Sequence, residues 1–181
     1  MISLKTVLVA TDFSEPSDVA LAYGRELARS YQGTLHVVNV VDDIRWRYSL
    51  DMTPVLLVGV QDSLDDAARQ RLEALISDED RDQLHAVARV ETSSAAADAI
   101  VAYAEKSKAD VIVIGTHGRG GLPRLFMGSV AERVVRLAPC PVLTVRSKER
   151  DFVAPDALAV TSQAGADAVN ARAVTPTPSM A

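Results

Sequence analysis

The sequence predicts an α/β fold, a doubly wound open parallel five-stranded sheet with helices on both faces. Short aliphatic runs alternate with helix-like patterns in the order β-α-β-α-β-α-β-α-β, which is typical of parallel strands joined by right-handed crossovers. Hydrophobic residues supply 48% of the 181 residues and aromatic residues only 4%. A core built from Val, Ala, Leu and Ile is typical of a buried parallel sheet with covering helices.

Four aliphatic runs are predicted to be interior strands, and a fifth, weaker run completes the sheet. The four strong runs are Thr6 to Ala10, Thr34 to Val41, Asp110 to Gly115 and Val142 to Arg146, and the weaker run lies near His85 to Glu91. Each run is short and rich in aliphatic residues, which favours a strand over a helix.

Between these strands, apolar residues recur at spacings of three and four, which places them on one face of a helix. The four predicted faces are formed by Ala20, Gly24, Leu27 and Tyr31; by Leu64, Ala68, Leu72 and Leu75; by Ala97, Val101 and Ala104; and by Val130, Val134 and Leu137. Each helix lies between two strands, so each is predicted to be a crossover that covers the sheet.

A long connection, Asp42 to Gly59, follows the second predicted strand and carries Trp46, Tyr48 and the apolar run Val55 to Val58. Connections of this length often act as lids or partner surfaces. Periodicity does not separate that role from a simpler one, in which Val55 to Val58 begins the next helix and enters the core. Both interpretations stay open at this point.

Composition divides the chain into one domain, residues 1–147, and a C-terminal tail, residues 148–181. The tail is rich in Ala, Pro, Thr and Ser, contains one Phe and shows no sustained amphipathic period. Such a segment has too little apolar surface to offset the entropy of ordering it. We therefore expect the tail to be disordered, and we expect truncation beyond Arg150 to leave the thermal midpoint of unfolding nearly unchanged.

Charge and hydropathy narrow the classes of partner. The formal net charge of -5 and the pI near 5.2 argue against a nucleic-acid binder, because such proteins rely on Lys and Arg to neutralise phosphates. The start of the chain has no signal-peptide pattern, and no apolar run approaches the length of a membrane span. The sequence thus predicts a cytoplasmic protein that binds neither nucleic acid nor membrane.

The single cysteine, Cys140, cannot form an internal disulfide. It lies between two prolines beside a Val-rich run, a setting typical of a small buried hydrophobe rather than of a redox centre. No pair of His or Cys residues stands at metal-ligand spacing. The sequence therefore predicts no metal site formed by protein ligands alone.

The most informative stretch begins at Gly115, where the fourth predicted strand ends, and reaches Ser129, where the last predicted helix starts. Glycines at such a place permit positive φ and close approach of a ligand, so that backbone N–H groups point at phosphate oxygens. The helix N-terminus adds further donors and a favourable dipole. The stretch is therefore predicted to hold a nucleotide.

Two common phosphate-loop motifs do not fit this stretch: no Lys follows the glycines as in a Walker A loop, and Pro123 stands where a dinucleotide fingerprint needs its third glycine. What remains is G-x-x-G, nine residues, then G-[ST], realised as Gly115, Gly118, Gly128 and Ser129. Val9-Ala10-Thr11-Asp12-Phe13-Ser14 and Cys140-Pro141-Val142-Leu143 accompany it. Together these motifs, which span roughly Met1 to Arg146, make the chain resemble the ATP-binding branch of the universal stress protein family.

The resemblance implies a strand order of 3-2-1-4-5 and ATP lying across the carboxyl ends of the first and fourth strands, at the switch point where open α/β sheets bind ligands. It implies that the adenosine is lined by Ala10, Thr11 and Asp12, with Asp12 near the ribose and Val40 near adenine. It implies that the ribose and phosphates lie along Ile114, Gly115, His117 and Gly118. It also implies that the phosphates are held by Gly128, Ser129, Val130 and Ala131. Mg²⁺, where present, would be held through the nucleotide. The chain departs from the family's pattern at Ala10, where many members have Pro, and at Thr92-Ser93, which replaces a Gly-x-Pro.

Two of these residues also have a simpler structural interpretation. Asp12 either acts on the ligand, by accepting hydrogen bonds from ribose hydroxyls or by assisting a nucleotide-bound Mg²⁺, or forms a turn before the helix that Ser14 and Pro16 begin. Ser129 either contacts phosphate or caps its helix in a capping box with Glu132. Both interpretations stay open for each residue.

His117 and Arg119 lie within the glycine loop. His117 is expected to act through its backbone rather than as a general base, and Arg119 either binds the outer phosphates or is a solvated charge. Asp12, His117 and Ser129 do not suggest a hydrolase triad, because no G-x-S-x-G surrounds Ser129. No catalytic residue is predicted.

The sequence favours an ATP-binding stress-response or signalling module that hydrolyses ATP slowly at most. Two alternatives stay open: a nucleotide-independent dimeric interaction protein of the same fold, and an adenine-nucleotide hydrolase with additional acid, base or lysine groups. A homodimer is predicted through the fifth strand, Val142-Leu143-Thr144-Val145, because its apolar side chains and unpaired backbone groups need cover.

Overall fold

The computed structural model describes residues 2–47, 54–116 and 127–146. The strands are β1 (Thr6–Ala10), β2 (Thr34–Val41), β3 (Val87–Thr92), β4 (Val111–Gly115) and β5 (Val142–Val145). The helices are α1 (Glu15–Tyr31), α2 (Ile44–Arg47), α3 (Pro54–Leu75), α4 (Asp78–Leu84), α5 (Ala96–Ser107) and α6 (Ser129–Leu137). The predicted α/β class is confirmed, and the strand bounds differ from the predicted ones by a few residues at most.

All five strands are parallel, and their order in the sheet is β3-β2-β1-β4-β5. From the central strand β1 the chain moves outwards through β2 to β3, and then returns to the other side for β4 and β5. The order reverses between β1 and β4, and such a switch point opens a crevice at the carboxyl ends of the two strands. The strand order predicted from the family resemblance is confirmed.

The central strands are covered on both faces. Val7, Leu8 and Val9 of β1 have no exposed surface, and successive side chains of a strand point to opposite faces. Helices α1 and α3 pack on one face of the sheet, and α5 and α6 belong to the other. The core on the second face combines residues of β1, β2, β4, α5 and α6, which include Leu8, Val38, Ile112, Ala104 and Val134. This core lies beneath the switch point.

Helix α3 settles one open question about the long connection. It begins at Pro54, so the apolar run Val55 to Val58 is helical. Its Leu57 is buried, while Leu56 stays about half exposed. Leu64, expected on the buried face, is 41% exposed, and Gln61 is 2% exposed instead. Because of the helical period, Gln61, seven residues before Ala68, lies closer to the Ala68 face of the helix than Leu64, four residues before it. Residues 48–53 lie outside the described part, so a lid or partner role of this connection stays a prediction.

Two short helices were not predicted. Helix α2 is joined to α3 by Gln61, whose Oε1 accepts from the backbone N–H of Ile44 at 3.0 Å. Helix α4 begins with a capping box between Ser77 and Asp80, and the Asp80 carboxylate accepts from the Arg25 guanidinium of α1 at 2.7 Å. The Ser-x-x-Asp spacing was a sequence signal for α4.

Cys140 packs, partly buried, against the core of α5 and α6. Burial raises the pKa of its thiol, and the Asp110 carboxylate raises that pKa further. A raised pKa keeps the thiol protonated and unreactive at neutral pH. These surroundings support the interpretation of Cys140 as a small hydrophobe.

The predicted tail, residues 148–181, lies outside the described residues, so the division into a domain and a tail stays a prediction. Across the described ranges, no helix combines the length and the apolar character that crossing a bilayer requires. Within the same ranges, no group of three or more His, Cys, Asp or Glu side chains is arranged to hold a metal ion.

Candidate functional site

Three segments that are far apart in the sequence meet at the switch point. Strands β1 and β4 are paired with Ala10 opposite Ile114, so the residues that follow each strand, Asp12 among them, lie at the same edge of the sheet. The start of α6 joins this edge, because the backbone N–H of Gly128 donates to the carbonyl oxygen of Thr116 at 2.6 Å. The structure therefore brings the two halves of the predicted nucleotide site together.

Several predicted ligand-binding residues place their side chains in the core. They are Ala10, Val40, Ile114 and Ala131. Ala10, Ile114 and Ala131 are each at most 6% exposed, while Val40 is partly buried against them. These side chains belong to the core beneath the switch point, so contact between a ligand and the three buried residues would involve backbone atoms.

The turn after β1 is held by hydroxyl groups. Thr11 is buried, and its Oγ1 accepts from the backbone N–H of Phe13 at 3.0 Å and lies 3.1 Å from Ser17 Oγ. The Ser17 hydroxyl donates to the carbonyl oxygen of Ser14 at 2.7 Å, which uses its single proton. The proton between Thr11 and Ser17 must therefore come from Thr11, whose hydroxyl has none left to donate to a ligand.

Asp12 forms a turn with the start of α1. Its Oδ1 accepts from the backbone N–H of Ser14 at 3.2 Å and from the Ser14 hydroxyl at 2.5 Å. The structural interpretation considered for Asp12 is therefore correct. It does not replace the ligand role, because an ionised carboxylate accepts at two oxygens and at several positions on each. The turn instead determines where the carboxylate lies.

Phe13, between Asp12 and Ser14, has a φ of 62°. This left-handed conformation is unusual for a bulky residue and is retained only where the surroundings fix it. The Phe13 N–H bond to Thr11 is one such contact, and the Arg71 guanidinium 4.2 Å from the centroid of the Phe13 ring is another. The reversal of the chain at Phe13 brings Ser14 back onto Asp12.

Gly115 is required by packing. A Cβ at this position would lie 2.9 Å from the carbonyl carbon of Pro16, so glycine allows the first turn of α1 to approach the end of β4. The positive φ that the loop glycines permit is not used by the two that the structure describes. No described glycine has positive φ, and Gly128 has φ -71° and ψ 153°, an extended conformation open to any residue.

Helix α6 has Gly128 as its N-cap and Ser129 as its first residue. The capping box considered for Ser129 is therefore wrong, because Ser129 stands one position too late to cap the helix and Gly128 brings no side chain to do so. The N–H groups of a first helical turn have no partner within the helix. At α6 these belong to Ser129, Val130 and Ala131, and such an N-terminus attracts anions.

The two sides of the crevice differ in electrostatic character. On the β1 side, burial raises the pKa of Asp18, the neighbouring Asp12 carboxylate raises it further and the Arg25 guanidinium lowers it. Asp12 thus contributes a negative charge on this side. On the other side stands the positive end of the α6 dipole. A ligand with phosphates at one end and hydroxyl donors at the other would be oriented by this difference.

The central part of the glycine loop is not described. His117, Gly118 and Arg119 lie within residues 117–126, outside the described ranges. Their proposed contacts with ribose and phosphates stay predictions, and the same holds for the choice between a phosphate contact and a solvated charge at Arg119.

Two buried polar residues at this edge were missed by sequence reasoning. Asn39 is 6% exposed, and its side-chain amide donates to the carbonyl oxygen of Thr11 at 2.8 Å. Thr116 is 3% exposed, and its backbone N–H donates to the carbonyl oxygen of Val145 at 2.8 Å. A polar residue inside the aliphatic run of β2 was a signal for Asn39. Thr116 follows the last residue of β4 directly, a position that gave no sign of its burial.

The chain is similar to known proteins of one family in both sequence and fold. The model of the universal stress protein family matches residues 3–146. A universal stress protein of Thermus aquaticus is 33% identical over 145 residues, which cover 78% of this chain and 98% of that protein. The crystal structure of a universal stress protein family member from Burkholderia pseudomallei is 29% identical, with a TM-score of 0.60 over 78% of this chain and 96% of that one. A universal stress protein in complex with cAMP is 22% identical, with a TM-score of 0.55 over 81% of this chain and 99% of that one, a likeness of fold alone.

Proposed function

Because the chain belongs to the universal stress protein family, we propose that it binds ATP at the carboxyl edge of β1 and β4 and acts as a stress-response or signalling module. One observation carries the proposal. The Asp12 turn and the N-terminus of α6 face a single switch point, where the bond between Gly128 and Thr116 ties α6 to the end of β4.

The proposed orientation of ATP follows from the electrostatics of the crevice. The adenosine lies along the β1 side, with adenine near Val40 and the ribose hydroxyls near the Asp12 carboxylate. The phosphates lie at the start of α6, where Gly128 to Ala131 supply backbone N–H groups. The reverse orientation would place phosphate charges against Asp12. Any Mg²⁺ would be held through the phosphates.

The choice of an adenine nucleotide is compatible with the fold. The cAMP complex described above has the same architecture, so the fold itself is no obstacle to such a ligand. The preference for ATP within this ligand class depends on the spacing of Gly115, Gly118, Gly128 and Ser129 in this chain.

We propose binding rather than dedicated catalysis. The described part of the proposed site offers the Asp12 carboxylate and backbone N–H groups, a set suited to holding a nucleotide. General acid–base catalysis requires a side chain with a suitable pKa within hydrogen-bond reach of the reacting group. Hydrolysis, if measured, should therefore be slow.

We also propose that the protein forms a homodimer through β5. Both edge strands of the sheet expose backbone groups, but β3 carries an ion pair between Arg89 and Glu91, at 2.7 Å, and charged side chains discourage edge pairing. Strand β5 has no charged residue. Val145 is 2% exposed and belongs to the protomer's own core, so the proposed contact involves the open backbone edge together with Leu143 and Thr144.

The nucleotide proposal is tested by titrating ATP calorimetrically, with and without Mg²⁺, and by mass spectrometry of gently purified protein for a co-purified nucleotide. We expect wild type to bind ATP and Asp12→Ala to bind it more weakly. Asp62→Ala, which removes the same charge from an exposed position of α3, is the matched control and should bind like wild type. Absence of heat and of co-purified nucleotide in wild type would contradict the proposal and favour the nucleotide-independent interaction protein.

A further inference from the structure

We propose that Ser14 is a positioning residue that fixes the Asp12 carboxylate as an acceptor, and that the site therefore selects nucleotides whose ribose hydroxyls are both present. This inference rests on the proposed nucleotide binding and goes beyond it by giving Ser14 a positioning role and by predicting discrimination against nucleotides that lack the ribose hydroxyls. The inference depends on the hydrogen bonds within the turn that runs from Thr11 to Ser17.

The first step is the direction of each hydroxyl proton in the turn. Ser17 donates to the carbonyl oxygen of Ser14, so Thr11 donates to Ser17, and the Ser14 hydroxyl donates to Asp12 Oδ1. The three hydroxyl protons are then all used inside the turn. A ligand at this turn meets an accepting carboxylate and finds no hydroxyl donor among the three.

The second step is the restraint on Asp12. Its Oδ1 accepts two hydrogen bonds from the same residue, at 3.2 Å from the Ser14 backbone and at 2.5 Å from its hydroxyl. A carboxylate held by both donors loses most of its freedom of rotation. Bonds to ionised groups are also stronger than those between neutral groups, so Ser14 holds the carboxylate in one place before a ligand arrives.

The third step is the conformation of the intervening residue. Phe13 has a φ of 62°, which costs energy at a bulky residue. Two contacts from different parts of the chain keep it there, the hydrogen bond to Thr11 and the Arg71 guanidinium stacked on its ring. Among the described helices, the strained turn adjoins the start of α1 alone. Its local effect is to bring Ser14 into contact with Asp12.

The fourth step is the chemistry of the partner. A fixed carboxylate repels phosphate and rewards O–H or N–H donors. The adenosine end of ATP offers two adjacent hydroxyls on the ribose, and 2′,3′-dideoxyATP lacks both. A site built to hydrogen-bond a hydroxyl discriminates strongly against an analogue without it, because the charge-assisted bonds from the hydroxyls to the carboxylate are then lost.

The experiment compares dissociation constants for ATP and 2′,3′-dideoxyATP in four variants. Wild type should prefer ATP by about tenfold or more, since hydrogen bonds to charged groups are worth that much. Ser14→Ala should lose about five- to tenfold in ATP affinity while binding dideoxyATP as before. Ser14→Thr, which keeps the hydroxyl, should restore the preference. Ser14→Gly removes the hydroxyl but retains a residue well tolerated at an N-cap, so it replaces Ser14→Ala if that variant unfolds.

Ser77→Ala is the matched control, because Ser77 caps α4 with its own side chain and lies outside the proposed site. It should lower stability without changing the preference between the two nucleotides. The inference is overturned if Ser14→Ala weakens both nucleotides equally or leaves the preference intact. Wild type that binds ATP and dideoxyATP equally also overturns it while leaving the proposed function standing. Wild type that binds neither nucleotide overturns the proposed function itself.

Discussion

Gly128 donates its backbone N–H to the carbonyl oxygen of Thr116, and this 2.6 Å bond joins the start of α6 to the end of β4. The bond uses the backbone alone, so it survives the addition of a side chain at Gly128. The φ and ψ of Gly128, -71° and 153°, are open to any residue. A substitution here therefore separates the contribution of this glycine to ligand binding from its contribution to folding.

We expect Gly128→Val to bind ATP at least tenfold more weakly, because a branched side chain at the N-cap obstructs phosphate from the first-turn N–H groups of α6. The free energy of unfolding should fall by only about 1 kcal/mol, the usual cost of a poor N-cap residue. Calorimetric titration and urea unfolding of the ligand-free protein measure the two effects. Gly128→Ser, with a smaller side chain and a good cap, should be as stable as wild type. A Val variant with normal ATP affinity would show that phosphate does not approach this residue.

Gly115→Ala should destabilise the fold by about 1–3 kcal/mol, the cost of overpacking a tight contact, because the new Cβ would lie 2.9 Å from the Pro16 backbone. Gly59→Ala is the control. A Cβ at Gly59 meets nothing within 4 Å, and alanine in a helix interior gains about 0.5–1 kcal/mol over glycine. Urea unfolding compares the two variants, and equal stability of Gly115→Ala and wild type would refute the packing explanation.

The stability of the protein should depend on the protonation of His36. Its Nδ1 lies 2.9 Å from the hydroxyl of Tyr103, and burial lowers the pKa of His36 below its ordinary value of 6.5. Between the two pKa values the unfolded chain holds more protons at this residue, so the free energy of unfolding rises with pH. This contribution is fully present above pH 6.5 and is lost as the pH falls through the folded pKa.

Urea unfolding from pH 5 to 8 measures this slope. His36→Gln, which does not titrate, should flatten it, whereas His85→Gln, at an exposed position, should leave it unchanged. A slope that persists in His36→Gln would assign the pH dependence to other groups.

Dimerisation through β5 can be blocked at a position whose N–H faces the open edge. Val145 turns its carbonyl toward β4, where Thr116 donates to it, and backbone groups of successive strand residues point to opposite sides. The N–H of Thr144 therefore faces outwards, and Thr144→Pro removes it without breaking the pairing with β4. We expect this variant to sediment as a monomer. By the same alternation Ala88 of β3 faces the opposite edge, and Ala88→Pro should remain a dimer. A monomeric wild type at tens of micromolar would contradict the proposed assembly.

Sequence reasoning recovered the order of elements because aliphatic strands and amphipathic helices alternate clearly along this chain. It failed where one residue's role depends on a distant partner. The reason for Gly115 is the backbone of Pro16, from another part of the chain, and no local pattern contains that contact. Ser129 shows a different limit. The Ser-x-x-Glu pattern is the same whether the helix begins at residue 129 or one residue later, but only the later start would make Ser129 the N-cap. The structure begins the helix at Ser129.

Thr11 was predicted to line the adenosine, and the bonding of its hydroxyl within the turn could not be predicted from the sequence. Its hydroxyl forms hydrogen bonds with Phe13 and Ser17. This arrangement depends on the left-handed φ of Phe13. A non-glycine residue with positive φ leaves no signature in the sequence. Asp12 was assigned two competing roles, and the geometry of its turn makes them compatible.

Ala10 pairs with Ile114, so the two walls of the candidate site lie on neighbouring strands that are far apart in the sequence. A chain that has folded only its first half possesses one wall and no crevice. ATP would thus engage only molecules whose sheet is complete, and at a concentration of 100 times its dissociation constant it would add about 2.7 kcal/mol to their stability. The energy charge of the cell would then govern how long each copy survives proteolysis, and a fall in ATP would shorten the lifetime of the protein before any change in its synthesis.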